Sequence, residues 1–237
     1  MILKILGNNG PYPAPGGACS GYLLQSDSGD TRILIDCGPG VLSRMMTEDC
    51  LDTLDAVVLS HLHYDHMSDM LPMQYALQLN PRKKPLPVYA PEEPEHVAGL
   101  LRCPYYDLWP AEDVTVGEMR ISFTAARHPV PTNAVGVTCD GKRFVFTGDT
   151  NEDTMVELFC NGASLLLADS GFARADHSFT KPHMSAELCG KLAAKAGAKR
   201  LLLTHLNPKY DPKALLAEAQ EHFPASELAE LGGIYYI

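Results

Sequence analysis

No apolar run in this chain is long enough to cross a bilayer. The longest, such as Leu165-Leu166-Leu167-Ala168, fall far short of the roughly 20 residues a membrane helix needs. No secretory leader is expected either. Met1-Ile2-Leu3-Lys4-Ile5-Leu6 reads as a first strand and Gly7-Asn8-Asn9-Gly10 as its turn, without the charged start, apolar stretch and small-residue cleavage site of a signal peptide. The expectation is a cytoplasmic protein with no membrane contact. Paired cysteines are absent as well. The seven, Cys19, Cys37, Cys50, Cys103, Cys139, Cys160 and Cys189, are odd in number and show no C-x-x-C spacing, which leaves a structural zinc ribbon unsupported and predicts buried or half-buried free thiols. No basic run exceeds Arg82-Lys83-Lys84, and the formal net charge is −10. Broad, charge-driven nucleic-acid binding is therefore disfavoured, although a local basic patch is not excluded. There is no repeat, no low-complexity tract and no linker. The 237 residues are expected to form one domain over 1–237, long enough to bury a core without staples.

What is present is an alternation of strand-like and helix-like segments. Strands are expected at residues 1–6, 21–26, 31–36, 56–60, 87–90, 120–125, 134–139, 143–147, 165–169 and 200–204. The clearest helices are 69–78, 185–196 and 212–221; the second carries Leu188, Leu192 and Ala196 on one face. The Pro- and Gly-rich stretch 11–17 must be a loop. This alternation predicts an α/β chain in a layered α-β-β-α arrangement, and several of its strands end in a polar or small residue that opens a loop, where sites are usually built.

One such loop holds His61, His63, Asp65 and His66 within six residues, directly after the apolar Ala56-Val57-Val58-Leu59. Two histidines at i and i+2 on an extended segment point to the same side. Asp65 and His66 then enter the reversal into a helix and can reach a second ion across the loop. Neutral imidazole and carboxylate are the usual ligands of zinc and similar divalent ions. Three more candidates sit at strand mouths: His128 in Ala126-Arg127-His128-Pro129, Asp149 in Thr147-Gly148-Asp149-Thr150, and His205 at the end of Leu201-Leu202-Leu203-Thr204-His205. Singly, an Asp there is as readily a turn residue and a His a capping one. Asp36, after another strand, reads as a turn residue or as a partner that orients a metal-bound histidine. His177, His96 and His222 carry no signal. Trp109, the sole tryptophan, lies in the aromatic cluster Tyr105-Tyr106-Asp107-Leu108-Trp109 and is expected in the core or a dimer contact rather than stacked on a base.

The set His61-x-His63-x-Asp65-His66, His128, Gly148-Asp149-Thr150 and Thr204-His205 resembles the ordered motifs of the metallo-β-lactamase superfamily, and the likeness runs over nearly the whole chain. Leu34-Ile35-Asp36-Cys37-Gly38 looks like that family's early strand and turn. The segment His183-Met184-Ser185-Ala186, followed by a helix and by residues 199–205, looks like the ribonuclease Z branch. The resemblance implies the four-layer αββα metallo-β-lactamase fold and two divalent ions, zinc first and manganese second. His61, His63 and His128 would hold one ion, Asp65, His66 and His205 the other, with Asp149 shared. It implies P–O cleavage by a hydroxide that the two ions share. His183 would give a hydrogen bond or proton to the departing oxygen, and Asp65 would help orient the reacting group besides ligating. Transfer-RNA-processing members of that branch carry a long arm rich in Gly and Pro, in many between the positions of His128 and Asp149. Here residues 129–148 suffice only for two strands and a turn at Asp140-Gly141. The expected enzyme is thus an arm-less phosphodiesterase for a cyclic nucleotide or other small phosphodiester. The alternatives are an RNA 3′-end endonuclease of the ribonuclease Z type, a thioester or lactone hydrolase of the same fold, and a non-catalytic metal sensor. Expected partners are a small phosphodiester or an RNA end, with a homodimer left open.

Overall fold

The computed structural model describes residues 1–48 and 51–237; Cys50, expected as a free thiol, lies outside the described residues. The first half of the chain runs β1 (Ile2–Gly7), β2 (Gly21–Gln25), β3 (Arg32–Ile35), α1 (Val41–Met46), β4 (Ala56–Val58), α2 (Tyr64–Met67), α3 (Met70–Leu79), β5 (Leu86–Ala90), α4 (Glu95–Ala98) and β6 (Tyr106–Pro110). The second half runs β7 (Val114–Val116), β8 (Met119–Ala126), β9 (Thr132–Cys139), β10 (Lys142–Phe146), α5 (Thr154–Phe159), β11 (Leu165–Asp169), α6 (Ala186–Lys195), β12 (Leu201–Thr204), α7 (Pro212–Gln220), β13 (Ser226–Leu228) and β14 (Ile234–Tyr236). Two seven-stranded mixed sheets result, ordered β14-β1-β2-β3-β4-β5-β6 and β13-β12-β11-β10-β9-β8-β7.

The two-residue period of strand side chains explains the layers. In β11, Leu165 and Leu167 face the first sheet and join Leu3, Ile5, Tyr22, Ile33, Phe144 and Phe146 in the core between the sheets. Leu166 and Ala168 of the same strand face outward, onto Ala186, Cys189 and Ala193 of α6 and Leu215 of α7. In β4, Val58 points inward and Val57 outward, to a third cluster with Met45 of α1 and Met70, Met73 and Leu77 of α3. Near-continuous apolar strands with both faces covered by helices or a second sheet give the α-β-β-α sandwich expected from the sequence.

All ten expected strands are present within a residue or two, and all three expected helices. Four strands were missed. β7, β13 and β14 are three residues each, too short to show a period. β6 is a sheet edge that ends in Pro110 and is exposed from Asp107 onward, so it lacks alternation. Helices α1, α2, α4 and α5, of four to six residues, escaped for the same reason. In α6 the fully buried face is Ala186, Cys189, Gly190 and Ala193, with Leu188 and Leu192 half-buried at its margin. The expected stripe through Leu188, Leu192 and Ala196 is therefore offset: small residues let α6 approach the sheet and α7 closely, and a Cβ on Gly190 would stand 2.4 Å from the Ala219 carbonyl oxygen. Trp109 is half exposed on β6 and not in the core. The six described cysteines are free, five of them buried. Among the described residues no helix is long and apolar enough to cross a membrane.

Residues 129–148 form the β9–β10 hairpin. Its two-residue turn, Asp140-Gly141, has φ of 51° and 72°, the left-handed pair such a hairpin requires. No arm is inserted there.

Candidate metal centre

The strand mouths of both sheets meet at one edge of the sandwich. The Asn133 amide donates to the Ser60 carbonyl at 2.9 Å, and Tyr22 and Thr204 share a hydroxyl–hydroxyl hydrogen bond of 2.8 Å between the sheets. Into this edge the structure brings His61, His63, Asp65 and His66 from the β4–α2 segment, His128 after β8, Asp149 after β10, and His205 after β12. Their ligating atoms fall into two groups that share Asp149: His61, His63, His128 and Asp149, and Asp65, His66, Asp149 and His205. A third group joins Asp149 and His205 to His183 and Asp169.

Asp149 Oδ2 is the hub. It lies 3.2 Å from His66 Nε2, 3.3 Å from His205 Nε2, 3.7 Å from His61 Nε2 and from His183 Nδ1, and 4.0 Å from His128 Nε2. The tight backbone that places it needs Gly148, whose φ is +61° and whose missing Cβ would sit 2.6 Å from the Asn133 carbonyl oxygen. Gly10 serves His205 similarly, since a Cβ there would meet Nε2 at 1.9 Å.

Outer partners set the ring orientations. His61 Nδ1 meets Ser60 Oγ at 3.0 Å. His66 Nδ1 meets Asp36 Oδ2 at 2.7 Å. His128 Nδ1 meets the Pro182 carbonyl at 3.2 Å, and His205 Nδ1 lies at ion-pair distance, 3.4 Å, from Asp169 Oδ1 without a formed hydrogen bond. All four rings thereby turn Nε2 inward, the arrangement that orients a ligating imidazole. His63 is reversed: its Nδ1 faces His61 Nε2 at 3.1 Å and His128 Nε2 at 3.0 Å. Three imidazole nitrogens this close cannot all find a proton or a lone pair among themselves. The spacing is near the ~3.3 Å between nitrogens on a tetrahedral ion with bonds of about 2.0–2.1 Å. His66 Nε2 and Asp149 Oδ1 are buried without a hydrogen-bond partner, a cost that a shared cation would offset. The donor set therefore fits divalent ions.

Charge divides the histidines. Burial drives the pKa of His61 well below its ordinary value, with His66 adding to the effect against Asp149; burial also lowers His63 and His128. For His66 burial works against charge, but Asp149 and Asp36 outweigh it and push the pKa up to about 10. In His205 burial is likewise overcome by Asp149, Asp169 and Asp65, and the pKa lies well above the usual range. Burial would raise Asp149, but His205 and His66 hold it well below the carboxylate range. For His183 burial is outweighed by Asp169, so its pKa is raised.

Asp36 occupies the expected orienting place: fully buried, at φ 57°, it accepts from the Ser60 amide and hydroxyl at 2.7 and 2.8 Å and binds His66. His177 lies outside the ligand groups, with Nε2 3.0 Å from Asn151 Oδ1. His96 and His222 are exposed. Sequence reasoning missed Asp169. Fully buried, it accepts from the Thr150 amide at 3.0 Å and the Gly171 amide at 3.1 Å, and pairs with His183 Nδ1 at 2.9 Å. The available signal was its position at the end of an apolar strand, the same placement that drew attention to Asp149.

The two layered sheets and the His/Asp groups define the class, and a family model described as "Beta-lactamase superfamily domain" matches residues 31–206. The chain belongs to the β-lactamase superfamily and has the metallo-β-lactamase fold; its class is that of the superfamily's metallo-hydrolases. It is 34% identical over 220 residues to the "probable metallo-hydrolase YhfI" of Bacillus subtilis (strain 168), with 87% of each chain covered. The crystal structure of YhfI superposes with a TM-score of 0.91 at 32% identity, covering 99% of both chains. A ribonuclease Z from Methanopyrus kandleri is 25% identical over 272 aligned residues, covering 98% of this chain and 96% of its own. Human tRNase Z, short form, has the same fold, with a TM-score of 0.79 at 19% identity over 100% of this chain and 99% of that one.

Proposed function

We propose that the chain is a dinuclear metal-dependent phosphodiesterase for a cyclic nucleotide or another small phosphodiester. The observation that carries this reading is the placement of His183. It stands outside the seven-residue ligand set, yet its Nδ1 is 3.7 Å from Asp149 Oδ2 and 2.9 Å from Asp169 Oδ2. A proton-bearing imidazole beside the centre suits a reaction with a poor, alkoxide-like leaving group. His61, His63 and His128 would hold one ion, Asp65, His66 and His205 the second, and Asp149 both. Zinc suits this imidazole-rich set, and manganese fits the carboxylates. Bound divalent ions would supply an activated water and neutralise charge on the phosphoryl oxygens. The chain's own work is to hold that geometry. Asp36, Ser60 and Asp169 orient the ligating rings, Asp65 helps orient the reacting group, and His183 delivers a proton to the departing oxygen.

The hairpin at 129–148, with no arm among the described residues, favours a small ester over transfer RNA. A panel of cyclic nucleotides, bis(p-nitrophenyl) phosphate, a precursor tRNA, a thioester and a lactone, assayed with zinc and with manganese, tests the reading. Turnover of cyclic nucleotides above the other substrates is expected. Cleavage of the precursor tRNA alone would move the assignment to an RNA 3′-end nuclease, and turnover of only the thioester or lactone would overturn phosphodiester chemistry.

A further inference from the structure

Residues 178 to 183 bring His183 to the centre without regular strand or helix, so something other than a backbone ladder must hold them. Their carbonyls show what does. Asn151 Nδ2 donates to Lys181 O at 2.7 Å, Ser178 O at 3.1 Å and Phe179 O at 3.3 Å. Arg127 Nη2 donates to Phe179 O at 3.1 Å, and its guanidinium lies 3.7 Å from the centroid of the Phe179 ring. The next carbonyl, Pro182 O, meets His128 Nδ1. Asn151 is itself fixed. Its side chain is buried, its Oδ1 accepts from the Glu152 amide at 2.7 Å and faces His177 Nε2 at 3.0 Å, and its amide donates to Arg127 O at 3.3 Å. The two turns that anchor the loop are therefore the turns that carry His128 and Asp149.

We infer that Asn151, assisted by Arg127, is a positioning residue that locks the His183 loop to the Asp149 and His128 turns and so sets the reach of His183 to the leaving oxygen. The assignment of a leaving-group role rests on the phosphodiesterase reading; the anchoring of the loop does not. Only an amide does this work. A carboxylate of the same shape in its place would face three carbonyl oxygens with no proton to give, and a methyl group would strip Lys181 O of its donor, leaving Ser178 O with the Lys181 amide alone and Phe179 O with Arg127 alone.

Asn151→Asp and Asn151→Ala, in the metal-loaded full chain, test the inference by two readouts. Hydrogen exchange at the amides of residues 178–181 and 183 should quicken about tenfold or more while β10 and β11 keep their protection, because the opening is local. Hydrolysis of a cyclic nucleotide should fall about tenfold or more, and that of bis(p-nitrophenyl) phosphate less than about threefold, since nitrophenolate leaves without a proton. In a His183→Ala background the same substitutions should add less than about twofold, the non-additivity of residues acting as one unit. Metal content should not change. Unaltered exchange at those amides, or an undiminished penalty in the His183→Ala background, would overturn the inference. Should the Asn151 variants not fold, Arg127→Ala, which removes only the donor to Phe179 and the stacked guanidinium, is expected to give the same pattern more weakly, and no effect on exchange would count against the anchor. A wild-type chain that hydrolyses neither ester would sink the phosphodiesterase reading, while the exchange result still decides whether Asn151 holds the loop.

Discussion

At Asp149 a single carboxylate oxygen faces five imidazoles at 3.2 to 4.0 Å, so its removal leaves buried histidines without their counter-charge. Asp149→Ala should abolish turnover and release metal, with the fold largely intact by circular dichroism. Near-normal activity in that variant would refute the shared-ligand role. His183 behaves differently because it stands outside the two ligand groups. His183→Ala should keep the metal and slow cyclic-nucleotide hydrolysis about 10²–10⁴-fold, the usual worth of a positioned acid. The loss should be smaller on bis(p-nitrophenyl) phosphate. Equal losses on both esters would point to phosphate positioning instead of proton delivery, and concurrent loss of metal would place His183 among the ligands.

At the scale of the element, stability lies in strands that bury both faces. Leu167 of β11 is fully buried between the sheets, among Tyr22, Phe144 and Phe146. Leu167→Ala should destabilise the fold by about 2–5 kcal/mol through lost transfer energy and the cavity left behind, read as a lower denaturant midpoint at unchanged slope. A shift below about 0.5 kcal/mol, the range of surface changes, would mean that this layer is less tightly packed than its burial shows. The strands with strong apolar runs were legible in the sequence because their pattern is dense. Short edge strands such as β7 and β14 were not, because three residues hold no period; β7 is fixed by its chain neighbour β8, and β14 by a partner far along the chain, Ile234–Tyr236 pairing with residues 2–4 of β1.

For the molecule as a whole, the division of protonation states has a consequence for metal loading. Near neutral pH the lowered His61, His63 and His128 are neutral and offer lone pairs, whereas the raised His66 and His205 carry protons. The group holding Asp65, His66 and His205 must expel a proton from each of those two rings before it can bind an ion, so its affinity should climb as pH rises toward about 10, the pKa of His66. The His61 group should load first, with little proton release. Calorimetric titration of stripped protein in buffers of different ionisation enthalpy checks this, and equal proton release at both steps would contradict it. Elemental analysis of protein purified without chelator should approach two ions per chain, one for each ligand group sharing Asp149; no more than one under metal-replete conditions would contradict a dinuclear centre.

Residue chemistry at strand ends was sufficient to mark the seven candidate ligands and, through a resemblance, His183, because imidazoles and carboxylates packed into one short loop after a buried strand are conspicuous along the chain. It was also sufficient for the layered architecture, since dense apolar strands alternating with helices leave few other ways to bury both faces. The partners behind those ligands depended on the tertiary structure. Asp169 contacts His183 and His205, residues 14 and 36 positions away, and Asn151 reaches carbonyls 27 to 30 residues on. Nothing local distinguishes that Asp or Asn from a turn residue. Their roles arise because parallel pairing of β10, β11 and β12 sets three strand ends side by side, and a hydrogen bond between such ends is a property of the packed sheet, not of any stretch of sequence.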